Sequence, residues 1–204
     1  MPLIRSSNNL IDYPGEPAAE IDFTGLRDDL CSLDVAARRA AVRRAGRSGA
    51  MELLAGRLEA EDDHGVRELI LTTLVRKGGV AAARSILGLL RSDDAGLRNA
   101  VIETLQEMGE AITPLIEELL ADPDSDVRIF AMNILISLNS PRVPDIALKV
   151  IANDPHVNVC AAAVDVLAEA GRPEMADALR DVAKRFPDQP FLAYSVRAAL
   201  KRIG

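Results

Sequence analysis

The sequence has no tryptophan, two tyrosines and four phenylalanines, so aromatic residues make up only 3% of its 204 positions. That scarcity excludes a core of aromatic-rich strands. The apolar share of 49% falls instead to Ala, Leu, Val and Ile, which suit close helix packing. Cysteine is nearly absent too: Cys31 and Cys160 are too few for a disulfide framework or a zinc cluster. Both fall in helical patterns, where a buried structural thiol is expected. Apolar runs of bilayer length are missing. The opening M-P-L-I-R-S-S-N-N-L-I-D lacks both an apolar h-region and a small-residue cleavage site, so a cytoplasmic protein with no membrane association is expected. Positive charge is in deficit, with 24 Lys and Arg against 31 Asp and Glu and a net charge of −7. That balance makes nucleic acid an unexpected partner.

What the chain has in quantity is a repeat. In D-S-D-V-R-I-F-A-M-N-I-L-I-S-L-N, residues 124–139, apolar positions follow Val127 at +4 and +8 and an Asn stands at +12. That is one face of a four-turn helix with a capping Asp in front and a left-handed-tolerant residue behind. The pattern occurs six times, anchored at Ala37, Val66, Leu97, Val127, Val159 and Leu192 and spaced 29 to 33 residues apart. The +12 positions read Gly49, Gly78, Gly109, Asn139, Gly171 and Gly204. Each anchor lies in a second (B) helix, at 35–48, 64–77, 95–108, 125–138, 156–170 and 190–203. Each is preceded by a first (A) helix, at 22–32, 50–60, 80–91, 111–121, 142–152 and 173–185. Asp34, Asp63, Asp94 and Asp124 stand three residues before their anchors as N-caps. The B helices are apolar over so much of their surface that one hairpin cannot cover its own; a stack of hairpins can. The expected class is therefore all-α, an α-solenoid. Residues 1–21, with Pro2, Pro14, Gly15 and Pro17 and no helical period, form an extended or partly disordered arm outside the solenoid domain of 22–204. The arm's apolar clusters serve either as a cover for the first repeat or as a short binding motif.

The pattern D-x-x-[VL]-R-x-x-x-[AVI]-x-x-x-L-x-x-x-[GN] resembles the HEAT-like repeat family in its short form of about thirty residues, similar to the bacterial and phycobilin-lyase-type repeats. The likeness is close at Asp63/Val66-Arg67, Asp94/Leu97-Arg98 and Asp124/Val127-Arg128. Repeats five and six depart from it, with His156 and Gln189 for Asp and Cys160 and Ala193 for Arg. A tetratricopeptide pattern fails for want of Trp, and an ankyrin-like opening, Thr113-Pro114-Leu115, occurs once and without the following His. The resemblance implies a right-handed superhelix of about six hairpins. It also implies that the recurring Asp and the Arg at +1 (Arg38, Arg67, Arg98, Arg128) bridge adjacent repeats as structure, not catalysis.

The resemblance further implies that the B helices line a concave groove. Its lining would be the positions that the core leaves free, +2, +6 and +9. These read Arg39/Arg43/Gly46, Glu68/Thr72/Val75, Asn99/Glu103/Gln106, Ile129/Asn133/Ile136, Ala161/Asp165/Ala168 and Tyr194/Ala198/Lys201. The candidate partner-binding residues are Arg39, Arg43, Glu68, Asn99, Glu103, Ile129, Asn133, Ile136, Asp165 and Tyr194. Ile129 and Ile136 mark either an exposed apolar centre or, with the register moved by one, part of the core. The run Arg38, Arg39, Arg43, Arg44, Arg47 reads as a site for phosphate or an acidic protein surface. It reads equally as a solvated face neutralised by Asp28, Asp29 and Asp34.

Enzymatic signals are few. His156 and Cys160 are spaced i, i+4 as two metal ligands would be, but no third ligand accompanies them, nor a third member of a nucleophile–base set. Gly78-Gly79 lacks the Lys-Ser/Thr of a phosphate loop. The expectation is a non-catalytic scaffold or adaptor, without metal or cofactor, that grips a helix or loop of a partner protein. The alternatives are a bilin lyase-type protein and, against the net charge, HEAT-like DNA binding. The C-terminal repeat lacks a polar outer cap after Gly204, which leaves an end open either to self-association or to continuation in a longer chain.

Overall fold

The computed structural model describes residues 22–204, so the arm expected over 1–21 lies outside the described residues. Twelve α-helices follow as six hairpins, and no strand occurs among the described residues. They are α1 Phe23–Leu30 with α2 Val35–Ser48, α3 Met51–Leu58 with α4 His64–Lys77, and α5 Gly79–Ile86 with α6 Ala95–Glu107. Then come α7 Thr113–Leu120 with α8 Ser125–Leu135, α9 Val143–Asn153 with α10 Val157–Ala170, and α11 Ala176–Arg185 with α12 Pro190–Ile203. Short 3-10 turns at Leu87–Arg91, Gly109–Ile112 and Pro173–Met175 complete three of the first helices. Substantial contacts run only within a hairpin or between consecutive hairpins. The architecture is an α-solenoid.

The core follows the repeat. Positions 0, +4 and +8 are buried throughout, from Val66, Ile70 and Leu74 to Val159, Ala163 and Leu167. The exceptions are Ala37 and Leu200, both half-buried. They belong to the first and last hairpins, each of which has a neighbour on one side only. Facing them are the apolar positions of the first helices, such as Leu54, Leu58, Ile86, Leu115, Ile116 and Leu179.

Helix starts are set by the expected aspartates. The Asp34 carboxylate accepts from the amides of Ala36 and Ala37, Asp63 from Val66, Asp94 from Gly96 and Leu97, and Asp124 from Asp126. Helix ends are more varied than expected. Gly49, Gly78 and Gly109 adopt positive φ of 78°, 64° and 56°, the region open to a residue without Cβ. Asn139 does not, because α8 has already stopped at Leu135. There Ser137 donates its hydroxyl to the Ile134 carbonyl, and Leu138 turns into the core. Gly171 has φ −70°. Space demands that glycine, since a Cβ there would stand 2.3 Å from the Leu167 carbonyl oxygen.

Between repeats the signature arginine does two jobs. In all four repeats that carry it, the guanidinium donates six residues back to a carbonyl in the turn joining the two helices. Arg38 reaches Ser32, Arg67 reaches Glu61, Arg98 reaches Ser92 and Arg128 reaches Asp122. Three of the four also bridge to the next repeat. Only Arg67 does so through a signature aspartate, Asp94, at 3.1 Å. Arg38 instead forks onto Glu61 at 2.9 Å for both bonds, and Arg128 forks onto Asp154 at 2.7 and 3.2 Å. Each of these acceptors lies two residues before the capping position. Asp94 serves its own helix amides with one carboxylate oxygen and Arg67 with the other; Arg38 and Arg128 find their acceptors upstream of the cap.

Repeat five lacks the arginine, and its slot is filled from outside. The Cys160 thiol donates weakly to the Asp154 carbonyl at 3.3 Å. Arg185 of α11 reaches in, donating to the same carbonyl at 2.8 Å and to the Ala152 carbonyl at 2.6 Å. The guanidinium that fastens this turn thus comes from the following hairpin.

Glu61 is fully buried and accepts from Arg38, from Arg57 at 3.0 Å and from the Asp63 amide at 2.9 Å. Burial pushes its carboxyl up, but the bonds from Arg38, the Asp63 amide and Arg57 outweigh it and hold the group below the ordinary glutamate range. A depressed carboxyl stabilises the fold at neutral pH, and that contribution is lost as pH falls through its folded value. Glu61→Gln should therefore lower stability at neutral pH by about 2–3 kcal/mol. It should also flatten the loss of stability on acidification, both measured by urea denaturation across the acid range.

Candidate protein-binding face

The second helices α2, α4, α6, α8, α10 and α12 lie side by side in one layer, each packed on the next. The first helices form the other layer and stand further apart: α7 and α9 leave between them a cavity of about 690 Å³, lined in part by Leu120, Ile146 and Val150. A stack that is tight in one layer and splayed in the other bends toward the tight one. The second-helix layer is therefore the inner face, where the +2, +6 and +9 positions lie.

Along that face Arg43, Glu68, Asn99, Glu103, Asn133, Ile136, Asp165 and Tyr194 are exposed, and Ile129 is half-buried. Ile136 is 39% and Tyr194 69% exposed, so neither belongs to the core. Gln106 donates its amide to the Asn133 carbonyl at 2.8 Å, tying α6 to α8. Asp165 makes no hydrogen bond or ion pair among the described residues, and desolvation pushes its carboxyl up; Ala161 and Ala168 stand one turn to either side of it. Arg39 is exposed but lies 3.4 Å from Asp63.

The arginine run divides. Arg38 is buried on Glu61, Arg39 meets Asp63, and Arg44 meets Asp29 at 2.6 Å. Of the aspartates expected to neutralise the run, only Asp29 does so. Arg43 and Arg47 remain, and they face Arg76 and Lys77 across an open groove of about 370 Å³ between α2 and α4. Arg47 belonged to the arginine run read as a site for an acidic surface, but Arg76 and Lys77 were not among the expected site residues. Arg47 and Arg76 share position +10, in the last turn of their helices, and reading that position along with +9 would have found Arg76.

No hydrogen bond joins the side chains of His156 and Cys160 among the described residues. His156 precedes α10 without a side-chain cap, and its Nδ1 is buried without a hydrogen-bond partner. Burial pushes the Cys160 thiol up despite the nearby Arg185 guanidinium, whereas a nucleophile or ligand needs the thiolate. Among the described residues no three His, Cys, Asp or Glu side chains converge as a metal site would require. Cys31 corrects an expectation: it is exposed at the end of α1, not buried. No helix among the described residues is long and apolar enough to cross a membrane.

The family profile of HEAT repeats matches residues 112–201. Over that stretch the chain is similar to HEAT repeats. The matched stretch spans the last three hairpins, including the two whose signature is incomplete. No curated protein matches the sequence. Among solved structures, the chain is similar to an engineered protein at 18% identity over 90% of this chain and 97% of that one, with a TM-score of 0.41. It is also similar to a chain from the complex of CpcE and CpcF of phycocyanin lyase from Nostoc sp. PCC7120. That match has 19% identity over 95% of this chain and 98% of the other, with a TM-score of 0.33. Both superpositions are loose, and the architecture rests on the helix packing.

The two thiols differ enough in access to be counted separately. A thiol-titrating disulfide reagent should react with one equivalent, Cys31, in the native protein. Cys160 should follow only on unfolding.

Proposed function

We propose that this HEAT-repeat chain is a non-catalytic scaffold that holds a helix or extended segment of a partner protein against its inner face. The observation that carries the reading is the surface of α8. Ile136 is exposed and Ile129 half-exposed on either side of the exposed Asn133, on a helix whose anchors Val127, Ala131 and Leu135 are already buried. Apolar side chains left over after the core is complete are what a partner covers. Tyr194 extends the apolar end, and the unpaired Asp165 offers a carboxylate to a donor on the partner. The other end of the face is cationic and would set the orientation of the segment. The recurring ionic groups are spent on turns and seams, which supports a role in shape presentation.

Capture from a lysate of the source organism, followed by mass spectrometry, tests the reading. Ile129→Asp should reduce the captured partner at least tenfold and leave the helical circular dichroism unchanged. Capture that survives the substitution would defeat the reading, as would loss of the helical signal. Incubation with a bilin is the counter-test. A covalent adduct absorbing in the visible would assign the chain to chromophore attachment.

A further inference from the structure

We propose that the groove between α2 and α4 binds an acidic peptide segment, with Arg43 and Arg47 on one wall and Arg76 and Lys77 on the other engaging its carboxylates. The inference rests on the scaffold reading and deepens it by naming the chemistry of one stretch of the partner.

Three observations support it. First, the four cations are unspent: none makes an ion pair among the described residues, although Arg38, Arg39 and Arg44 beside them all do. Second, they converge. Lys77 crosses the seam, so that a Cβ on Gly49 at the end of α2 would stand 3.9 Å from its Nζ. The floor beneath is closed, since a Cβ on Gly46 would stand 2.5 Å from Thr73 Cγ2, and Leu69 lines it with an apolar side chain. Third, the helix ends do not neutralise the site. Arg47, Arg76 and Lys77 lie in last turns, where each helix dipole contributes about half a negative charge. Two such ends offset about one of four positive charges.

The shape selects the ligand. A volume of about 370 Å³ with an open mouth is a trough more than a pocket for one small anion. Its Arg43 wall is continuous with the inner face along which the partner would lie. Guanidinium groups take carboxylates in paired hydrogen bonds, and the methylenes of Glu side chains can rest on Leu69. The chain as a whole carries a net charge of −7, so binding of a polyanion depends on a local cluster of cations such as this one.

The test is fluorescence anisotropy of fluorescein-labelled hexaglutamate with the full chain. Binding should weaken steeply with salt, and labelled hexalysine should not share the site. Arg43→Glu combined with Arg76→Glu should weaken binding tenfold or more, a change of about 1.4 kcal/mol or more, with unchanged circular dichroism. Arg180→Glu, on α11, should leave it unchanged. If the double variant unfolds, Arg47→Ala and Lys77→Ala decide, each expected to weaken binding several-fold. No binding by the folded wild type, indifference to these substitutions, or tighter binding of a single-stranded oligonucleotide than of the peptide would overturn the proposal. The titration uses no partner protein, so the groove can fail while capture through Ile129 stands, and the reverse.

Discussion

A helix that is apolar on nearly every side cannot end its own burial, and that constraint governs this chain. In α8 and α10 the residues at 0, +4, +5, +7 and +8 are all buried, so the partner helix of the hairpin covers only part of the surface. The remainder goes to the hairpins before and after. Each repeat thus supplies half of its neighbour's core, and stability accumulates along the file instead of around a centre. Ala37 and Leu200 show the converse, being half-exposed where the file has a single neighbour to offer.

Stacking leaves turns between helices whose carbonyls need donors, and the arginine at +1 supplies one in four repeats out of six. Repeat five shows that the donor matters more than its place in sequence. With Cys160 in the arginine position, Arg185 comes in from α11, its guanidinium also lying 4.7 Å from the Phe186 ring centroid. The acids vary in the same way: Asp94 serves both its helix amides and Arg67, whereas Glu61 and Asp154, upstream of their caps, receive the other two bridging arginines. Breadth of bonding then sets importance: Glu61 accepts from three partners in full burial, whereas pairs such as Arg142 with Glu117 are exposed on both sides and worth little.

The inner face inherits its character from what these duties leave over. At the N-terminal end most of the arginine run is consumed, and the two that remain join two cations of the next helix. Toward the C-terminal end the leftovers are isoleucines, alanines, a tyrosine, an aspartate without a partner among the described residues and, on α12, the exposed Lys201. A face with clustered cations at one end and mostly apolar groups at the other distinguishes the two directions of a ligand.

The sequence by itself determined the helices, their pairing and their stacking, because a period of about thirty residues, Asp before each start and an apolar stripe on each B helix are local and repetitive signals. Five B helices, α2, α4, α6, α10 and α12, fall within a residue of the expected bounds at each end. It also placed Asp34, Asp63, Asp94 and Asp124 correctly, since an N-cap needs only its own chain. What it could not determine was which long side chain reaches across a seam. Arg38 to Glu61, Arg185 to the turn before α10, and Arg47 facing Arg76 all join residues 23 to 31 positions apart. Each depends on the offset between neighbouring hairpins, which side-chain packing fixes and the repeat pattern does not encode.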